Sequence, residues 1–170
     1  MSRNKPILFD AGLFIGALLQ GDRRHQEARS IVEAARRGEL LATTTASILS
    51  EVYAALTWVN AEPPHKPTEA ANAVQLLVEP PSAIKILPEG FEASLKMLEL
   101  SKKCNLTARR VHDARHAATA LTNGVTFIYT YDVDDWIIFE SEGLAIIGPP
   151  SVLASKDKVK EDIEKAPGKI

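Results

Sequence analysis

The run Gly124-Val125-Thr126-Phe127-Ile128-Tyr129-Thr130, followed at once by Tyr131-Asp132, joins a helix-stopping glycine to six residues that are mostly β-branched or aromatic. Such side chains suit a pleated, buried surface, so residues 125–130 predict a strand. Upstream, Ala114, Ala117, Ala118, Ala120 and Leu121 fall on one arc, which predicts a helix over residues 108–123. A second apolar run, Ile7-Leu8-Phe9, also reads as a buried strand and also runs into an acid, Asp10.

The rest of the chain alternates in the same way. Helices are expected over residues 11–19, over 22–37 with Asp22 as N-cap and Gly38 as stop, and over 45–60. A strand is expected at 40–43. Glu62-Pro63-Pro64-His65-Lys66-Pro67 breaks the chain into a loop. A helix then runs to Glu79, where Pro80-Pro81 ends it. A strand at 84–87, a helix at 89–104, a helical turn at 136–139 and a strand at 144–147 complete the pattern. Strands alternating with helices imply an α/β fold, a mostly parallel sheet covered on both faces. Residues 1–150 form the expected domain, and residues 151–170 a charged tail, rich in lysine and glutamate after Ser155.

With 170 residues, 45% of them hydrophobic and 25% charged, the chain suits one globular domain rather than a disordered segment. A net charge of −2 excludes gripping nucleic acid by overall basicity, so a polyanion would have to meet a local basic patch or bound cations. The single cysteine, Cys104, makes no internal disulfide and no CxxC motif, and a reducing cytoplasm is the expected location. Asp10 interrupts the N-terminal apolar run and no small-x-small cleavage site follows, which argues against a signal peptide. No later run approaches the length of a membrane span.

Four acids stand where ordinary surface charge does not explain them. Asp10 and Asp132 follow strands, and ligand sites in open α/β sheets form at the carboxyl ends of strands. At about 100° per residue, Glu51 falls inside the arc of Ile48, Val52, Ala55, Val59 and Trp58, and Asp113 falls beside Ala117 and Ala120. An isolated buried carboxylate costs several kcal/mol even after relaxation. Read as ordinary structure, Asp10 and Asp132 would be helix caps, and Glu51 and Asp113 paired core charges, with Arg109 or Arg115 as partner. Read together, the four acids point to a shared cation that removes their repulsion, and all-oxygen ligation suits Mg²⁺ or Mn²⁺.

The ordered set resembles a family. Ile7-Leu8-Phe9-Asp10, Ser50-Glu51-Val52, His112 to Ala120 followed by Gly124-Val125, and Thr130-Tyr131-Asp132-Val133-Asp134-Asp135-Trp136 resemble, in order, the four motifs of PIN domains, over about residues 6–150. The resemblance implies a three-layer α/β/α sandwich, and size and layout are similar to VapC-type toxins of bacteria and archaea. It further implies a Mg²⁺- or Mn²⁺-dependent endoribonuclease, often a homodimer, held inactive by a small antitoxin. Asp10, Glu51, Asp113 and Asp132 would be the catalytic, metal-holding acids, with Asp135 as outer helper ahead of Asp134. Gly12 departs from the pattern, since a Thr or Ser is usual there, and the proline-rich segment from Glu62 to Pro81 is long.

Cations for an RNA strand would come from Arg23, Arg24, Arg29, Arg36, Arg37, Lys102, Lys103, Arg109 and Arg110, with Arg115 against Asp113 or phosphate. His25, His112 and His116 are expected to be structural, and Tyr53 and Trp58 to belong to the core. The stretch from Ala70 to Val78 suits either core packing or an interface. Two other functions remain open. A phosphotransfer protein would also set acids at strand ends beside Mg²⁺, but phosphatases of that kind favour a second Asp where Gly12 stands, and no lysine follows a late strand as in a receiver. A catalytically silent binding module would keep the fold and lose the metal.

Overall fold

The computed structural model describes residues 5–153, and the expected charged tail lies almost wholly outside that range. The described chain alternates strands and helices as β1 (Ile7–Phe9), α1 (Ala11–Leu18), α2 (His25–Arg36), β2 (Ala42–Thr45), α3 (Ala46–Thr57), α4 (Pro67–Val78), β3 (Lys85–Leu87), α5 (Phe91–Lys103), α6 (Arg110–Thr122), β4 (Phe127–Tyr129), α7 (Val133–Trp136) and β5 (Ala145–Gly148). A 3₁₀ segment, Ile137–Glu142, links α7 to β5. The five strands form one sheet in the order β3-β2-β1-β4-β5, and every pairing in it is parallel. Helices flank this sheet, as the alternating sequence requires.

Strand order reverses between β1 and β4. The chain first builds outward from β1 to β2 and β3, then returns to the other side of β1 to add β4 and β5. A crevice at the carboxyl ends of strands is expected at such a reversal. The β1–β4 register pairs Ile7 with Phe127, Leu8 with Ile128 and Phe9 with Tyr129, so Asp10 and Thr130 emerge side by side.

The core follows the apolar runs. Leu8, Phe9, Leu13, Phe14, Ile48, Val52, Leu56, Ile128 and Phe139 are fully buried, with Trp136 close behind. The N-terminal apolar run is therefore sheet and core helix. Gly38 and Gly124, expected to stop helices, have φ of 79° and 72°, a left-handed conformation that glycine adopts without a Cβ penalty. Pro67 opens α4 in the first-turn position where its missing N–H costs nothing, and Glu69 Oε2 accepts the Lys66 N–H at 3.0 Å. Among the described residues, no helix is long and apolar enough to cross a membrane.

Three local expectations are corrected. Asp22 is not the N-cap of α2. Its carboxylate instead accepts the Arg24 N–H at 2.7 Å within a turn, and the helix starts at His25. The second strand begins and ends two residues later than expected, because Thr43 turns its hydroxyl to Ile7 O at 3.1 Å and Thr45 both ends the strand and caps α3. Helix α3 ends at Thr57, so Trp58 and Val59 leave the helical projection that placed them on the apolar arc; they are 60% and 78% exposed. Tyr53 is likewise exposed rather than in the core.

Two substitutions test the packing. Trp136→Ala should lower stability by about 3–5 kcal/mol, the usual range for deleting a buried large aromatic. A Cβ on Gly148 would lie 2.6 Å from Tyr129 Cε1, and Tyr129 stacks on Phe9 with centroids 5.4 Å apart. Gly148→Ala should therefore cost about 1–3 kcal/mol by overpacking, read as a lower denaturant midpoint at unchanged slope.

Candidate active site

Asp10 is the first residue beyond β1 and is only 6% exposed. Its N–H donates to Tyr129 O at 3.1 Å across the β1–β4 boundary. Its Oδ1 accepts the Ala11 N–H at 2.8 Å, capping α1, and its Oδ2 accepts the Thr130 hydroxyl at 2.8 Å. Thr130 Oγ1 in turn accepts the Asp132 N–H at 3.0 Å, so one hydroxyl joins the ends of both strands. Burial pushes the Asp10 carboxyl above its ordinary range against the pull of Thr130, His116 and the Ala11 N–H, and the charge of Asp132 adds to the rise. The cap reading of Asp10 holds. The hydroxyl that reaches its other oxygen comes from Thr130.

Glu51 stands on α3 and Asp113 in the first turn of α6. His116, 1% exposed, lies between them: its Nε2 is 2.8 Å from Glu51 Oε1 and its Nδ1 is 3.3 Å from Thr45 Oγ1. Burial would raise the Glu51 carboxyl, but the His116 hydrogen bond, with the charges of His116, His112 and Arg115, holds it below the ordinary glutamate range. The opposite happens at Asp113. Burial, then the negative charges of Asp10 and Asp135, push it up to about 7, against His116, and Glu51 adds to the rise.

The groove over these residues has a volume of about 640 Å³ and is lined by acids Glu51, Asp113 and Asp135 and by cations Arg109, Arg110 and Arg115. Arg110 Nε lies 3.8 Å from Asp135 Oδ1, and Arg115 Nε is buried without a hydrogen-bond partner. Asp132 occupies the N-cap position of α7 but makes no side-chain cap bond; it is exposed, as is Asp134. Among the described residues no three histidine, cysteine or acidic side chains stand close enough to share one metal ion. The structure therefore brings Glu51, Asp113 and Asp135 to one groove, sets Asp10 in the electrostatic reach of Asp113, and leaves Asp132 beside Asp10 rather than in the groove lining.

A second cluster forms around Tyr131, next to Asp132 in the chain. Tyr131 OH donates to Glu27 Oε2 at 2.9 Å, and Ser151 donates to the same carboxylate through its hydroxyl at 2.7 Å. The Arg24 guanidinium lies 4.5 Å over the Tyr131 ring and pairs with Asp22 at 3.0 Å. Of the other expected phosphate contacts, Arg36 and Arg37 pair with Glu33 and Glu39, and Lys103 with Glu142. Arg29 and Arg37 line a different surface cleft, with His25 and Gln26. The groove cations are thus Arg109, Arg110 and Arg115. His25 is structural, its Nδ1 2.9 Å from Gly16 O between α1 and α2, and His116 is buried against Glu51, which lines the groove. Thr130 and Tyr131 sat inside a recognised motif, but nothing in sequence pairs Tyr131 with Glu27.

Comparison with known proteins places this geometry. The PIN domain family model matches residues 7–137, a span that holds Asp10, Glu51, Asp113, Asp132 and Asp135. Among solved structures, the Mycobacterium tuberculosis protein VapC20, described as a sarcin–ricin loop cleaving toxin, is similar with a TM-score of 0.64. The match has 17% sequence identity over 84% of this chain and 99% of that one, which is a likeness of fold. Comparison with curated protein sequences gives no match. The family model covers well over half of the chain, and the chain belongs to the PIN-domain family.

Proposed function

We propose that the chain is an endoribonuclease that hydrolyses RNA phosphodiester bonds with the help of Mg²⁺ or Mn²⁺, as the toxin of a toxin–antitoxin pair. The observation that carries this reading is Asp113, a carboxyl pushed up to about 7 by burial and by Asp10, Asp135 and Glu51, in a groove also lined by Arg115, whose buried Nε has no hydrogen-bond partner. Acids set close enough to suppress one another's ionisation are what a divalent cation relieves.

The donor set fits such an ion by chemistry. It is all oxygen, and the Asp113 and Asp132 side chains make no hydrogen bond or ion pair among the described residues. Asp10, Glu51, Asp113 and Asp132 would hold the ion directly or through water, with Asp135 in support. When bound, it supplies Lewis acidity, making water a stronger acid and offsetting charge on phosphate oxygens. The protein does the positioning: Thr130 and the Ala11 N–H fix Asp10, and His116 holds Glu51. Arg109, Arg110 and Arg115 line the path a strand would follow. A phosphotransfer role fits less well, because Asp10 is buried with both oxygens hydrogen-bonded and is not free to attack phosphorus. The same reading brings a small antitoxin and a homodimer as partners, and Phe91, Leu95 and Leu98 expose apolar surface on one face of α5 for a protein contact.

Cleavage of a mixed RNA pool that includes ribosomal RNA, with Mg²⁺ or Mn²⁺, tests the proposal. Asp10→Asn and Asp113→Asn should each lower kcat by more than about 100-fold, beyond what loss of an outer partner causes. Arg115→Gln should raise KM about tenfold, the cost of one charged hydrogen bond. Equal cutting by wild type and both Asn variants would place the activity elsewhere, and a folded wild type inert in both metals would favour a silent binding module.

A stability measurement checks the acid cluster separately. Burial and the neighbouring acids push the folded Asp113 carboxyl up to about 7 from the 3.8 of a free aspartate, so the native state binds the proton more tightly. Its contribution is complete below the unfolded value and is lost as pH rises through about 7. Metal-free protein should therefore have a higher Tm at about pH 5.5 than at about pH 8, and Asp113→Asn should shrink the difference. Saturating Mg²⁺ should raise Tm more at the higher pH.

A further inference from the structure

His116 sits in the second turn of α6 among the fully buried Ala114, Ala117, Ala118 and Ala120. A buried imidazole is costly unless both ring nitrogens find partners, and here both do. The ionised Glu51 carboxylate can only accept, so the 2.8 Å contact requires the proton on Nε2. At the other end Nδ1 lies 3.3 Å from Thr45 Oγ1, which also accepts the Ile48 N–H at 3.0 Å. Nε2–H therefore donates to Glu51 Oε1, and Nδ1 is held against the Thr45 hydroxyl. Thr45 is also the N-cap of α3, so the hydroxyl that orients His116 also starts the helix that carries Glu51. Glu51 has no other side-chain hydrogen bond among the described residues, its side chain is 40% exposed, and it faces the groove.

We infer that His116 is a positioning residue for Glu51: the Thr45–His116–Glu51 chain pins Oε1 and leaves Oε2 as the oxygen presented to the groove. Its consequence for catalysis rests on the nuclease reading, but the hydrogen-bond chain itself does not. A glutamate on an exposed helix turn samples several rotamers, and holding it by a buried donor removes that freedom before a cation or phosphate arrives. The same imidazole lies within electrostatic reach of Asp10 and Asp113.

The first test uses the metal-free wild-type protein labelled with ¹⁵N at histidine. His116 should carry a slowly exchanging Nε2 proton whose signal shifts or vanishes in Glu51→Gln. A proton on Nδ1 alone, or an Nε2 signal indifferent to Glu51→Gln, overturns the proposal. The second test titrates Mn²⁺ alone by calorimetry. His116→Leu, which keeps the volume and removes the donor, should weaken Mn²⁺ binding at least about tenfold. His116→Gln, which offers an N–H near the Nε2 position, should stay close to wild type, and the His116→Leu/Glu51→Gln double variant should bind no worse than Glu51→Gln. Leu and Gln variants that lose equally, or a Leu variant that binds as wild type while Glu51→Gln is weakened, overturn it. If His116→Leu fails to fold, the Gln variant and the wild-type spectrum decide. A wild type that neither binds Mn²⁺ nor cuts RNA fails the nuclease reading, and the Nε2 proton signal then still settles the positioning role.

Discussion

A carboxylate set at the end of a central strand cannot rely on water for solvation, and the protein around it must supply the hydrogen bonds that water would have given. Asp10 is in that position. The β1–β4 register delivers the Tyr129 carbonyl to its N–H and the Thr130 hydroxyl to its Oδ2, while the turn into α1 delivers the Ala11 N–H to Oδ1. The Tyr129 and Thr130 contacts depend on parallel pairing at the place where strand order reverses. Moving either strand by one residue would bring the opposite face to this point and leave the acid with only its local Ala11 partner. The sheet and the site are held by the same contacts.

The acids around this point are in different electrostatic states. Asp10 is anchored by hydrogen bonds at both oxygens and Glu51 by one imidazole, whereas Asp113 and Asp132 make no such side-chain bonds among the described residues. Two acids are thus fixed in place and two are left to respond. On the nuclease reading this division is useful: fixed groups set the geometry, and free groups adjust as a cation and a phosphate enter. The arginines follow a similar pattern: Arg24, Arg36 and Arg37 are committed to ion pairs, whereas Arg115 makes none among the described residues, and its Nε, like that of Arg36, is buried without a hydrogen-bond partner.

Much of this was legible from sequence because the signals were local and redundant. Two apolar runs that each lead into an acid report the ends of buried strands, and acids at the edge of apolar helical arcs report half-buried positions. What was not legible depended on where elements stop and on side chains that meet across the fold. Trp58 joined the apolar arc only while α3 was taken to continue past Thr57. Asp22 looked like a cap until its carboxylate turned to Arg24. His116 was read as structural because one sequence cannot show that residues 45, 51 and 116 converge on a single ring. The brace from Glu27 to Tyr131 and Ser151 spans more than a hundred residues and has no local signature.

The hydrogen bond from Thr130 to Asp10 joins groups 120 positions apart in the chain, and Asp132 lies just beyond. Contacts of such long sequence separation close only after the intervening loop entropy has been overcome. During synthesis, the first strand leaves the ribosome carrying an acid whose hydroxyl partner has not yet been made. Asp113, Thr130 and Asp132 are all made long after β1. A chain made only as far as α5 therefore holds no assembled acid cluster, and the four acids can meet only once Asp132 has been added.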